Sequence, residues 1–287
     1  MIQFPEFLEF SITDFFDAIV NWLLINLSEF FDLVTLVIAN AFNIVESGLS
    51  FIPWWLIVLL IFYLGKKLYS YKMATVLASM MFFIGMFGLW DSMLYTIAIV
   101  LISVIVSLFV GLPIGILMAK NSRLESILKP ILDAMQTMPS FVYLIPAIML
   151  FGLGRVPAVF ATTIYAIPPL IRLTYLGISN VDKEVVEAGQ SFGSTPWQML
   201  CKIELPQAIS TIMTGVNQTT MMAMAMVVIS SMIGAEGIGQ EVLISIRRLE
   251  VGRGFQAGFA IVFLAIILDR LLQGFANSLE GGMAIDE

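Results

Sequence analysis

The sequence has no histidine and a single cysteine, Cys201, in 287 residues. The first absence removes the commonest general base and metal ligand, and a lone cysteine builds neither an internal disulfide nor a thiolate site. Charge is scarce, at 12% of residues, and no Lys or Arg precedes Lys66. Glu6, Glu9, Asp14, Asp17, Glu29, Asp32 and Glu46 fall in that cation-free stretch and account for the whole net charge of -7. A nucleic-acid partner needs the opposite sign and is excluded as a class. A phosphate-cradling Gly-x-x-x-x-Gly-Lys-Ser/Thr loop is missing as well: Gly65-Lys66-Lys67 has Leu60 upstream and no hydroxyl residue after the lysines. Without a basic n-region ahead of an apolar core and a small-residue cleavage site, a removable signal peptide is not expected. Catalysis by this chain alone is not expected either.

What remains is apolar. The chain is 59% hydrophobic with mean hydropathy +0.96, which places it among polytopic membrane proteins and predicts an all-α fold. Residues 11–45 mix acids and amides with large apolar residues, and Asp14, Asp17 and Asn21 recur at helical spacing. They predict a helix lying along the membrane surface, with a first spanning helix as the alternative. Seven spans follow, at 52–66, 73–90, 93–119, 130–151, 156–178, 207–233 and 256–279. Pro139 and Pro146 interrupt the fourth, so a straight helix is not expected there.

Basic residues set the orientation. Lys66, Lys67 and Lys72 fill one short loop, Lys120, Arg123 and Lys129 another, and Lys183 and Lys202 a third, all on one side if seven spans are counted. The N-terminus is then outside and the C-terminus cytoplasmic, while Arg155, Arg247, Arg248 and Arg253 fall on the outer side against the rule. The expected organisation is an acidic external segment at 1–50, two spans at 51–90, a core domain at 91–279 containing a loop at 181–206, and a tail at 280–287.

That loop, "EAGQSFGSTPWQMLCKIELPQA" from 187 to 208, interrupts the apolar pattern. Asp182 is placed to cap a helix that Gly193 ends; Thr195 and Pro196 start a second, and Pro206 is expected to stop it. Glu187-Ala188-Gly189, then Gly193, then Ile203-x-Leu205-Pro206 resembles the EAA loop of ATP-binding-cassette (ABC) importer permeases at every spacing, with Gly189 in place of the second alanine. A polar loop between spans is otherwise simply solvated. The stretches 132–159, 166–178, 215–234 and 265–271 also resemble the permeases of glycine betaine/proline importers.

The resemblance implies a type I ABC importer transmembrane fold and a coupling helix, carried by Glu187, Ala188, Gly189 and Gly193, that docks on a cytosolic ATPase. Ile203, Leu205 and Pro206 would fix its return to the membrane. It further implies two copies of the ATPase subunit bearing ATP and Mg, a homodimer of the permease, and a separate external substrate-binding protein. This chain itself would hold no cofactor and no metal, and would contact membrane lipid. Glycine betaine is the implied cargo, with choline, carnitine or proline as alternatives and an ion-coupled secondary transporter as the alternative class.

Candidates for a translocation path are Ser140 and Tyr143 in the broken span and Asn217, Gln218, Thr219 and Thr220 after the loop; helix-to-helix glue is the other reading. Met224 and its neighbours Met221, Met222 and Met226 could form a soft gate or fill space. Gly234, Gly237 and Gly239 bend the chain, and the resemblance implies a place near an external gate, with an ordinary loop as the alternative. Arg247 and Arg248, with Arg253, could dock a receptor or pair with the acidic N-terminal segment. Trp54, Trp55 and Trp90 read as interfacial anchors rather than as a cation-binding cage. Asp269 and Arg270 lie deep enough in the last span to need partners, each other being one option.

Overall fold

The computed structural model describes residues 13–283. Glu6, Glu9 and residues 284–287 of the expected tail lie outside the described residues. Among the described residues all regular structure is helical, as composition requires: α1 (Thr13–Asn26), α2 (Ser28–Phe51), α3 (Trp54–Leu68), α4 (Tyr71–Met86), α5 (Trp90–Lys120), α6 (Ser122–Thr137), α7 (Leu144–Phe151), α8 (Arg155–Ser179), α9 (Lys183–Ser191), α10 (Pro196–Met199), α11 (Leu205–Ser230), α12 (Ile238–Arg248) and α13 (Val251–Met283).

The centre is built by α5, α8 and α11. Their apolar residues give a continuous core that includes Ile99, Leu170 and Met224. Backbones approach closely where side chains are smallest: a Cβ on Gly115 would stand 2.6 Å from Cβ of Thr174. Small residues at such crossings are how helices gain contact in lipid, where burial of apolar surface no longer drives association. Some of the buried hydroxyls tie the core helices to one another. Ser103 donates to the Val159 carbonyl at 3.3 Å, and Thr162 and Ser230 share a bond of 3.4 Å between α8 and α11.

The bundle has two ends. At the near end α5 stops at Lys120, α8 leads into α9, and Gly274 of α13 meets Leu68. Tyr69 in the α3–α4 connection donates to the Arg270 carbonyl there at 2.9 Å, and burial holds its pKa above the ordinary tyrosine value. At the far end Gln256 of α13 donates to the Phe87 carbonyl after α4.

The span count differs from expectation. Five helices, α2, α5, α8, the run Pro196–Ile233 and α13, are long and apolar enough to cross a membrane; α6 with Ser140–Phe151, bent by 109°, makes a sixth if the pair is one span. α3 and α4 have 15 and 16 residues, or about 22–24 Å of helix against a hydrocarbon core of about 30 Å. The expected span at 73–90 instead runs Tyr71–Met86, because Gly88 takes φ 73° and Trp90 opens α5. In the fourth span Pro139 precedes a 3-10 turn, Ser140–Tyr143, so the chain turns where the ring denies it a helical donor.

Residues 11–45 do not form one helix. The chain breaks at Leu27, and α2 continues to Phe51. Although α2 is long enough to span, both its ends meet the far parts of the bundle. Phe31 contacts Phe151 with ring centroids 5.7 Å apart, Phe42 contacts Tyr95 at 4.7 Å, and Glu46 approaches Arg155 at 4.0 Å. The stretch from Phe31 to Glu46 covers about 22 Å of helix, yet its partners Phe151 and Arg155 are separated by one short loop. α2 therefore lies across the far end rather than alongside the core helices.

Candidate functional site

The near end is dominated by the segment from Asp182 to Pro206, whose shape follows from local chemistry. Asp182 caps α9 by accepting from the Glu184 amide at 2.9 Å. Gly193 ends the bend with φ 77°, a conformation that costs a side-chain-bearing residue about 1–2 kcal/mol, and the Ser194 amide returns to the Gly189 carbonyl at 3.2 Å. Thr195 and Gln198 then form a reciprocal capping box around Pro196, satisfying two free amides at the start of α10.

Pro206 does not stop this second helix. α10 passes through a π turn, Leu200–Glu204, directly into α11, where Pro206 sits in the first turn. A π turn carries one extra residue per turn, and proline at the start of the next helix lacks only a donor that is dispensable there.

The motif residues divide into two groups. Glu187, Ala188 and Gly193 are exposed, whereas Gly189 is buried and Ile203, Leu205 and Pro206 are half-buried. Gly189 faces Ile203: a Cβ there would come within 2.5 Å of Ile203 Cδ1 and 2.8 Å of Met199 Cε. Its departure from alanine thus matches a tight contact between α9 and the return segment. Two residues that motif reading missed project from the same knob, Phe192 at 92% exposure and Trp197 at 72%. An aromatic next to a capping glycine, and another just inside a proline-started helix, was the available signal. Lys120 meets Glu204 at 2.5 Å beneath the knob.

The path candidates do not share one surface, because consecutive helical residues are rotated by about 100°. Of the four after the loop only Gln218 is exposed; Thr219, Thr220 and Met224 are buried. Thr220 donates to the Val216 carbonyl, and Asn217 donates to Asp269 at 2.8 Å, leaving Asn217 Oδ1 and Thr219 Oγ1 without protein partners. Asp269 also accepts from Gln273 and lies 3.8 Å from Arg270, so the deep acid is partnered from two helices. Ser140 is half-buried in the 3-10 turn, while the buried Tyr143 donates to the Met135 carbonyl at 2.6 Å and edges onto Tyr165.

At the far end the glycines join elements closely. Gly234 and Gly237 take φ 87° and 107°. Cβ atoms at Gly237 and Gly239 would stand 2.6 Å from Thr96 Oγ1 and 2.7 Å from Val228 Cα. Arg248 lies 3.9 Å from Glu250, and Arg253 is held by Glu241 at 2.6 Å. Arg247 is exposed at the end of α12. Among the described residues of the acidic N-terminal segment it is Glu46 that approaches an arginine, Arg155, at 4.0 Å.

A helical bundle with five or six helices apolar enough to cross a membrane, and a capped knob at one end, is the architecture of a multi-pass membrane protein. The chain belongs to the family of binding-protein-dependent transport system inner membrane components, which it matches over residues 111–281. It is 46% identical to the glycine betaine/carnitine transport permease protein GbuB of Listeria monocytogenes serotype 1/2a (strain 10403S), over 86% of this chain and 89% of that one. It is 44% identical to the glycine betaine transport system permease protein OpuAB of Bacillus subtilis (strain 168), over 91% and 93%. The glycine betaine/proline betaine permease ProW of Escherichia coli (strain K12) is 53% identical over 66% of this chain and 54% of that one. The fold is similar to a chain of the inward-facing MetNI methionine ABC transporter, with TM-score 0.58 and 19% identity over 64% of this chain and 93% of that chain.

Proposed function

We propose that this permease moves glycine betaine, or a related compatible solute, into the cell by alternating access driven by ATP hydrolysis on a separate ATPase subunit. The observation that carries the reading is the capped knob of α9 and α10, with Phe192 and Trp197 bare at its tip, in a chain whose relatives are named glycine betaine permeases. ATP and Mg belong to that ATPase. Two ATPase copies would serve a homodimer of this chain, each permease supplying one knob, and an external substrate-binding protein would load the far end. Lys66, Lys67, Lys120 and Lys183 gather at the near end, which supports a cytoplasmic near end, an external N-terminus and a cytoplasmic C-terminus in a prokaryotic plasma (inner) membrane.

On this reading residues 1–50 form an external segment, 51–90 a peripheral pair, 91–279 the transporting core and 280–287 a cytoplasmic tail. ATP and the loaded receptor must both favour the outward-facing state over the inward one, since a ligand that binds both equally shifts nothing. The test is uptake of labelled betaine by the complete complex in cells lacking other osmolyte importers, with carnitine, choline and proline as competitors. ATP-dependent uptake that disappears with an inactive ATPase is expected. Uptake that follows the membrane potential instead would overturn the reading.

A further inference from the structure

We propose that Lys120 and Glu204 form a strut through which the knob moves α5, making Glu204, the unspecified position between Ile203 and Leu205, a positioning residue for coupled transport. The proposal rests on the coupling role of the knob. Lys120 is the last residue of α5 and Glu204 the last of the π turn. The Lys120 ammonium donates to both carboxylate oxygens at 2.5 Å, with side-chain exposures of 44% and 7%. Among the described residues Glu204 is the one charged residue that is buried, and a carboxylate there depends on its cation.

Geometry separates this pair from an ordinary tether. Ile203 presses on Gly189 of α9, while its neighbour Glu204 reaches across to α5. Adjacent residues thus grip the two bodies, and a displacement of α9 reaches α5 through a single peptide unit. A second tie is apolar, a cluster that joins Leu200 and Leu205 with Ile116 and Ala119 of α5. Beside these ties lies an open groove of about 680 Å³ lined by Leu117, Gln190, Ser194 and Trp197 as well as by the ion pair, so α5 and the knob are not packed solidly together. The π turn, a geometry frequent at functional sites, is what carries Glu204 to this position.

The experiment uses the whole complex in proteoliposomes and reads uptake, stimulation of ATP hydrolysis by the loaded receptor, and ATPase retained on the permease. Lys120→Met and Glu204→Gln are expected to lower uptake and receptor stimulation about tenfold or more, while Lys120→Arg stays within about threefold of wild type. The neutral pair Lys120→Met with Glu204→Leu removes the buried charge altogether; it is expected to assemble normally and to remain uncoupled. Uptake recovered in that neutral pair, or unchanged in Lys120→Met, overturns the strut. Gly193→Val in parallel separates the two ideas: if it abolishes uptake while Lys120→Met does not, only the strut fails, and if both transport normally the coupling reading fails with it.

Discussion

The knob at the near end and α2 at the far end are both peripheral, yet they are specified in different ways. The knob is held by short-range grammar: Asp182 as cap, Gly193 as bend, and Thr195 with Gln198 as capping box. α2 has no side-chain cap and owes its position to a few distant contacts, with Phe42 fully buried and Phe31 and Glu46 at the margins. Local devices fix shape and leave the tip free to be gripped. Distant contacts fix placement and leave little for a partner to move.

Mutations should separate the two ends. The largest energetic effect is expected at the far end. Phe42→Ala removes a side chain enclosed by Tyr95 and Arg155, at a cost of about 3–5 kcal/mol. Thermal unfolding of the purified complex should shift down clearly, while receptor-stimulated ATP hydrolysis in the cold stays intact. If stimulation is lost together with stability, α2 belongs to the transport machinery and the contrast collapses.

The next effect falls on the knob. Phe192→Asp with Trp197→Ala should leave the permease as stable as before, because both side chains are mostly exposed. ATPase binding should nevertheless weaken by at least about 2 kcal/mol, or roughly thirtyfold, as removal of aromatic anchors does at interfaces. Titration of ATPase onto the purified permease measures it, and unchanged affinity would move the docking surface elsewhere. Gly193→Val is smaller per molecule, about 1–2 kcal/mol against the φ 77° bend, since no neighbouring atom lies within 4 Å of an added Cβ. Uptake should fall roughly five- to thirtyfold, and Gly193→Asn, which tolerates that conformation, should lose much less.

The same contrast explains what could be read from the sequence. The two helices of the knob and the bend between them were legible because each cap and glycine acts within four residues. The role of Pro206 was not, because whether a proline ends one helix or opens the next depends on the π turn before it. The break at Leu27 and the passage of α2 across the bundle depend on Phe151, Tyr95 and Arg155, which lie far away in sequence. The polar run Asn217–Thr220 marked a polar stretch of helix, but only the packed neighbours decide that Asn217 answers Asp269 and Gln218 stays exposed.

The smallest effect compares the ion pairs of the two ends. Arg155 and Glu46 are more than a third exposed and 4.0 Å apart, so solvent screening leaves the pair less than about 1 kcal/mol, and the Phe42 ring 5.1 Å from the guanidinium carbon adds an amount of the same order. Arg155→Gln should lower the unfolding midpoint by about 2–4 °C, and the deficit should shrink in 1 M salt, where screening acts within about 3 Å. Lys120 and Glu204 differ in the variable that matters, since only 7% of the Glu204 side chain is exposed; the deficit of Lys120→Met should persist in the same salt. A Lys120→Met deficit that vanished with salt would mean that the near-end pair is as solvated as the far-end one, and burial would no longer distinguish the end that is gripped from the end that is merely covered.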